Sequence, residues 1–111
     1  MRNSDVAIRF FEGATKGGVK HLFIEENVIY SYGHHFPIAI RLNDGEGYRY
    51  IFNSDGYSNT TAMHKGFVKR LIGDRIVLET NTQKLKELIN SDVKDLKEIM
   101  LENLGDENAT A

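Results

Sequence analysis

The stretch FPIAIRLNDGEGYRYIF, residues 36–52, decides the fold. Phe36, Ile38, Ile40 and Leu42 alternate with Pro37, Ala39, Arg41 and Asn43, and the alternation resumes after NDGEG at Tyr48, Tyr50 and Phe52. A period of two belongs to a strand, whose successive side chains point to opposite faces. Two such runs around a glycine-rich turn predict an antiparallel hairpin. A one-residue slip would turn a whole apolar set into water. The pattern therefore predicts Leu42 opposite Tyr48, Ile40 opposite Tyr50 and Ile38 opposite Phe52, joined by a loop Asp44-Gly45-Glu46. That register sets Arg41 opposite Arg49, and like charges so placed cost up to about 1 kcal/mol. A partner is expected between them: Glu12, Glu25 or Glu26, or a phosphate or carboxylate clamped by the two guanidiniums.

On the N-terminal side, VKHLFIEENVIYSY reads as a second hairpin around a Glu26-Asn27 turn, and TKGG before it as a break. SDVAIRFFEG suits a short opening helix capped by Ser4 or Asp5 and stopped at Gly13. On the C-terminal side, Ser58, Asn59 or Thr60 caps a helix whose apolar stripe is Met63, Phe67 and Leu71 with Val68 and Ile72 beside it, ending at Gly73. RIVLET is a short strand. TQKLKELI, with Leu85, Leu88 and Ile89, and SDVKDLKEIMLENL, with Val93, Leu96, Met100 and Leu104, form a C-terminal helical pair. The expected architecture is α+β: an antiparallel sheet of four or five strands, a meander of two hairpins, with helices on one face. Residues 1–104 make one domain and residues 105–111 a flexible C-terminal tail.

The 111 residues suffice for a buried core without covalent staples. The absence of cysteine excludes disulfides, thiolate zinc sites and a cysteine nucleophile. There is no apolar run of membrane-spanning length and no signal-peptide pattern, which points to a cytoplasmic protein with no membrane partner. The net charge of -2 conceals an asymmetry: residues 1–75 carry 10 Lys or Arg against 8 Asp or Glu, and residues 76–111 carry 4 against 8. A mildly basic body of this kind attracts anions weakly, without the clustered excess of a dedicated nucleic-acid binder.

Two segments carry a resemblance. Tyr30, Ser31, Tyr32, Gly33, His35, Phe36, Pro37, Ile38 and Ala39, then Asn53, then Tyr57, Ser58, Thr60, Thr61 and His64 follow a pattern Tyr-Ser-Tyr-Gly-x-His-Phe-Pro-Ile-Ala, Asn, Tyr-Ser-x-Thr-Thr-x-x-His. The pattern, spanning about residues 20–72, resembles that of a family of small uncharacterised proteins of bacteriophages, plasmids and related mobile elements. The resemblance implies an accessory protein acting by binding in a bacterial host cytoplasm: to nucleic acid, to a nucleotide, or to a host or phage protein, in counter-defence or regulation. His34 falls at the variable position.

The candidate anion ligands are Arg41, Arg49, Lys65, Lys69 and Arg70, with Thr60 and Thr61 at a helix N-terminus whose free N–H groups suit a phosphate. In the alternative reading, a histidine-dependent phosphodiesterase or nuclease, His35 and His64 supply acid and base. His21, His34, His35 and His64 match no standard metal-ligand spacing, and neither a metal nor another cofactor is expected. The opposite reading makes the motif structural, with His35, His64, Asn53 and the threonines serving buried tyrosine hydroxyls. The C-terminal helical pair offers a homodimer interface.

Overall fold

The computed structural model describes residues 1–98. Helix α1 (Asn3–Phe11) is followed by strands β1 (Lys16–Val19), β2 (Leu22–Glu25), β3 (Val28–Ser31), β4 (Pro37–Asn43) and β5 (Tyr48–Asn53). Helix α2 (Asn59–Ile72), a 3-10 turn (Gly73–Arg75), strand β6 (Ile76–Thr80) and helix α3 (Thr82–Asn90) complete the order. The fold is α+β, with a sheet ordered β1-β2-β3-β4-β5-β6 in which β6 pairs parallel to β5 and the other pairings are antiparallel. The expected four or five antiparallel strands become six, in a mixed sheet. The parallel pair exists because α2 carries the chain from one end of the sheet back to the other, as a crossover must.

The extra strand is β1, formed by the segment KGGV that reads as a break. Glycine is needed there for close approach: a Cβ on Gly18 would lie 2.8 Å from the Leu22 carbonyl oxygen. The opening helix forms where expected, although its cap is Arg2, whose backbone N–H donates to the Asp5 carboxylate at 2.8 Å. The Glu26-Asn27 turn also forms, with Glu26 at φ 56°.

Helices cover both faces of the sheet. α1 and α2 bury Val6, Phe10, Val68 and Ile72 against Leu22, Ile29, Ala39, Tyr50 and Phe52. On the other face, α3 buries Leu85 and Leu88 against Val28, Tyr30, Ile40, Leu42 and Ile51. This corrects the expectation of one helical layer, and it explains why every residue of β4 except Asn43 is buried.

It also corrects the register. Arg41 pairs with Tyr50, Ile40 with Ile51 and Leu42 with Arg49, one residue away from the expected alignment. The slip argument needs one wet face, and here neither face is wet, so the turn decides instead. Asp44 accepts from the Glu46 and Gly47 N–H groups, each at 2.8 Å, which closes a loop of Asp44 to Gly47. Those bonds, the Glu46 one foremost, also hold the Asp44 carboxyl below the usual range.

In α2, Ser58 caps the helix by accepting from the Thr61 N–H at 3.1 Å. The buried stripe is Thr61, His64, Val68 and Ile72, rotated from the expected one, so that Met63 is exposed. α3 forms as expected, and Val93 is buried beyond it. Met100, Leu104 and the expected tail at residues 105–111 lie outside the described residues, and with them residues 99–104 of the expected second helix of the C-terminal pair. Among the described residues no helix is long and apolar enough to cross a membrane.

Candidate functional site

The basic residues singled out from the sequence do not converge. Arg41 is buried, with its Nη1 donating to the Phe10 and Ala14 carbonyl oxygens at 2.8 and 3.0 Å and its guanidinium over the Phe10 and Tyr48 rings at 5.1 and 5.2 Å. Desolvation lowers its pKa. Arg49 projects to the other sheet face, pairs with Asp44 at 3.2 Å and donates to the Tyr48 carbonyl at 2.9 Å. The arginine clamp expected from the misaligned register is therefore not formed. Lys65 donates to the Asp55 carbonyl at 2.6 Å, and Lys69 pairs with Glu79 at 3.5 Å, both over the Phe52 ring at 5.4 Å. Arg70 is exposed.

The two halves of the motif do meet. Ser31, at the end of β3, lies 2.8 Å from His64 Nδ1 and 3.0 Å from Thr61 Oγ1, and all three residues are buried. Ser58 Oγ donates in turn to Thr61 Oγ1 at 3.1 Å. The direction of this relay is set by counting protons. With its oxygen accepting from Ser58, Thr61 has Ser31 as the partner for its own proton, and an unpaired buried hydroxyl would cost about 1–3 kcal/mol. Ser31 then donates to Nδ1 of His64. The imidazole is neutral, and its remaining proton is on Nε2. Burial, and to a lesser degree the nearby His21, pushes the His64 pKa down and favours the same neutral form.

His64 lines a groove of about 410 Å³ between the start of α1, the β1–β2 turn and the start of α2. Arg2, Asn3, Lys20, His21 and Thr60 line it too, and no carboxylate does among the described residues. Among these residues no buried side-chain nitrogen or oxygen lacks a hydrogen bond. His64 Nε2 has no hydrogen-bond partner among them, so it reaches the groove surface as an N–H donor.

Next to the groove runs an aromatic strip. The His21 ring stacks on Tyr32 at 4.4 Å, Tyr32 meets Tyr57 at 6.3 Å, and Tyr57 meets His35 at 5.3 Å and Phe36 at 5.4 Å. The Tyr57 hydroxyl lies 3.1 Å from His35 Nε2. Tyr32 sits at φ 64° before Gly33 at φ 111°, a left-handed turn that only glycine takes without strain.

The histidines thus divide. His34 lies apart, bonded to Glu25 at 2.6 Å and edge-on to Phe23 and Tyr30. His35 is joined to Tyr57 rather than to His64, so the acid and base of the alternative reading are not paired with each other. Among the described residues no three His, Asp or Glu side chains are grouped as metal ligands require. Asn53 donates to the Pro37 carbonyl and to Thr82 Oγ1 at 2.8 and 2.9 Å, tying the motif's middle member to the start of β4 and the start of α3.

Sequence reasoning missed Ser31, Arg2 and Lys20 as site residues and weighed His21 only as a metal ligand. For Ser31 a signal existed, a lone hydroxyl between two tyrosines in an otherwise apolar strand. For Arg2 and Lys20 none did, because they reach the groove only through the packing of α1 on β2. No protein-family model matches the chain, and no curated protein or solved structure matches it either.

Proposed function

We propose that this protein is a small non-enzymatic binding module, of the accessory kind carried by phages and other mobile elements, which takes an anionic partner in the groove beside His64. The observation that carries this reading is the donor set: Arg2, Lys20, His21, Thr60 and the His64 Nε2–H surround one concavity that no described carboxylate lines. Anions are recognised by such convergent N–H and O–H donors. The relay from Ser58 bears on the alternative of histidine-dependent phosphodiester cleavage. A general base needs a free lone pair facing its substrate, and in this tautomer His64 offers the groove a proton instead.

The test is titration of the full chain with inorganic pyrophosphate and with a fluorescein-labelled mixed-sequence oligonucleotide, at low and at moderate salt. Binding that weakens steeply with salt, and falls in Lys20→Glu and Arg2→Glu while persisting in Lys69→Ala, is the expected result. The absence of binding to either probe at low salt would overturn the proposal. Cleavage of the oligonucleotide that is lost in His64→Gln would favour the catalytic reading.

A further inference from the structure

Resting on the anion-binding reading of the same groove, we infer that the ligand carries an unpaired nucleobase which stacks on Tyr57 while its phosphate occupies the groove. The inference comes from an aromatic side chain that the core does not use. Tyr57 is 58 % exposed, yet its ring is held against Phe36 and His35, and its hydroxyl is engaged by His35. An ordinary exposed tyrosine on a loop has no such fixed orientation.

The strip has a direction. His21 belongs both to the groove and to the stack on Tyr32, and Tyr32 in turn touches Tyr57. A phosphate held by Lys20, His21 and His64 therefore lies at one end of a line of rings whose other end is open to solvent. Tyr32 reaches its place through a left-handed backbone conformation, anchored by its N–H donating to the His21 carbonyl at 2.9 Å. Left-handed tyrosine costs about 1 kcal/mol or more, and such strain persists only where the surroundings impose it. The arrangement combines the two parts from which single-stranded nucleic acid sites are built: cationic contacts to the phosphates and aromatic faces for the bases. Duplex DNA keeps its bases stacked internally and offers the strip nothing.

One chemistry, an unpaired base joined to a phosphate, fits both a free nucleotide and a single strand, and the experiment separates them. Four probes are titrated against the full chain at low salt: inorganic pyrophosphate, adenosine monophosphate, a labelled single-stranded octamer, and the same octamer as a duplex. Stacking on an aromatic side chain predicts that Tyr57→Ala weakens binding of the base-bearing probes by roughly 5- to 150-fold. Pyrophosphate binding should be unchanged in that variant, and Tyr57→Phe should bind like the wild type. The single strand should bind more tightly than the duplex. Equal affinity for the mononucleotide and the octamer would identify a nucleotide, and preference for the octamer a single strand; either supports the inference. Binding of pyrophosphate and both oligonucleotide forms that is indifferent to Tyr57→Ala would overturn the stacking inference and leave the anion site standing. Failure of all four probes to bind would overturn both.

Discussion

Arg41 and His64 lie on the same face of the sheet, and both are nearly excluded from water, at 6 % and 1 % exposure. They are used in opposite ways. Every described partner of Arg41 lies within the fold: two backbone carbonyls at the end of α1 and two aromatic rings. His64 is engaged on one nitrogen only, and its other nitrogen faces the groove. A buried cation whose Nη1 bonds two backbone carbonyls tethers an element, whereas a half-used imidazole in a cation-lined groove can greet a ligand. Charge in the sequence marked Arg41 without showing that backbone carbonyls take up its Nη1, because packing supplies the partners.

The largest effect expected from this contrast is on stability at the Arg41 end. Arg41→Met removes both carbonyl bonds and the cation over Phe10 and Tyr48, and should cost about 3 kcal/mol in urea unfolding without affecting pyrophosphate binding. A variant of wild-type stability would mean that α1 is held by its apolar face alone. At the other end, Ser31→Ala leaves Thr61 and His64 without their shared partner. It should cost about 2 kcal/mol and also weaken pyrophosphate binding, because the relay no longer sets the tautomer. Loss of stability with unchanged binding would show the relay to be purely structural.

The pH response follows from the same residue. The His64 pKa is lowered in the folded state from its ordinary 6.5. Above that value both folded and unfolded chains hold the imidazole neutral, and nothing is gained or lost. As the pH falls below it, the unfolded chain takes up the proton first, so stability should decline through the window below about pH 6.5. The decline in urea midpoint between about pH 7.5 and 5.5 should be smaller in His64→Gln than in the wild type. Equal slopes would assign the decline to other groups. The smallest effect is expected at Lys69→Ala, an exposed pair with Glu79 at 3.5 Å, where the change should stay within about 0.5 kcal/mol.

Legibility in the sequence followed the range of the interactions involved. The β2–β3 hairpin, the cap of α2, the apolar stripe of α3 and the α+β class were legible because they rest on local periodicity and turn chemistry. The β4–β5 register was not. Its prediction assumed a wet face, and only the arrival of α3, more than 30 residues on, removes that assumption. β1 was misread because the closeness that demands Gly18 is a contact with β2 and not a property of KGGV.

The motif residues divide in the same manner. The sequence placed Ser31, His35, Tyr57, Thr61 and His64 in one pattern only through the resemblance that the motif carries. It also determined the strand-forming alternation, the α3 stripe and the absence of thiol chemistry, all of which are readable within a few residues. Tertiary structure alone decided that Ser31 completes the relay, that Arg41 is bonded to the end of α1, and that Arg2, Lys20 and His21 share a groove with His64. The physical reason is that a polar side chain takes its role from the partners left to it after packing, and those partners come from distant segments of the chain.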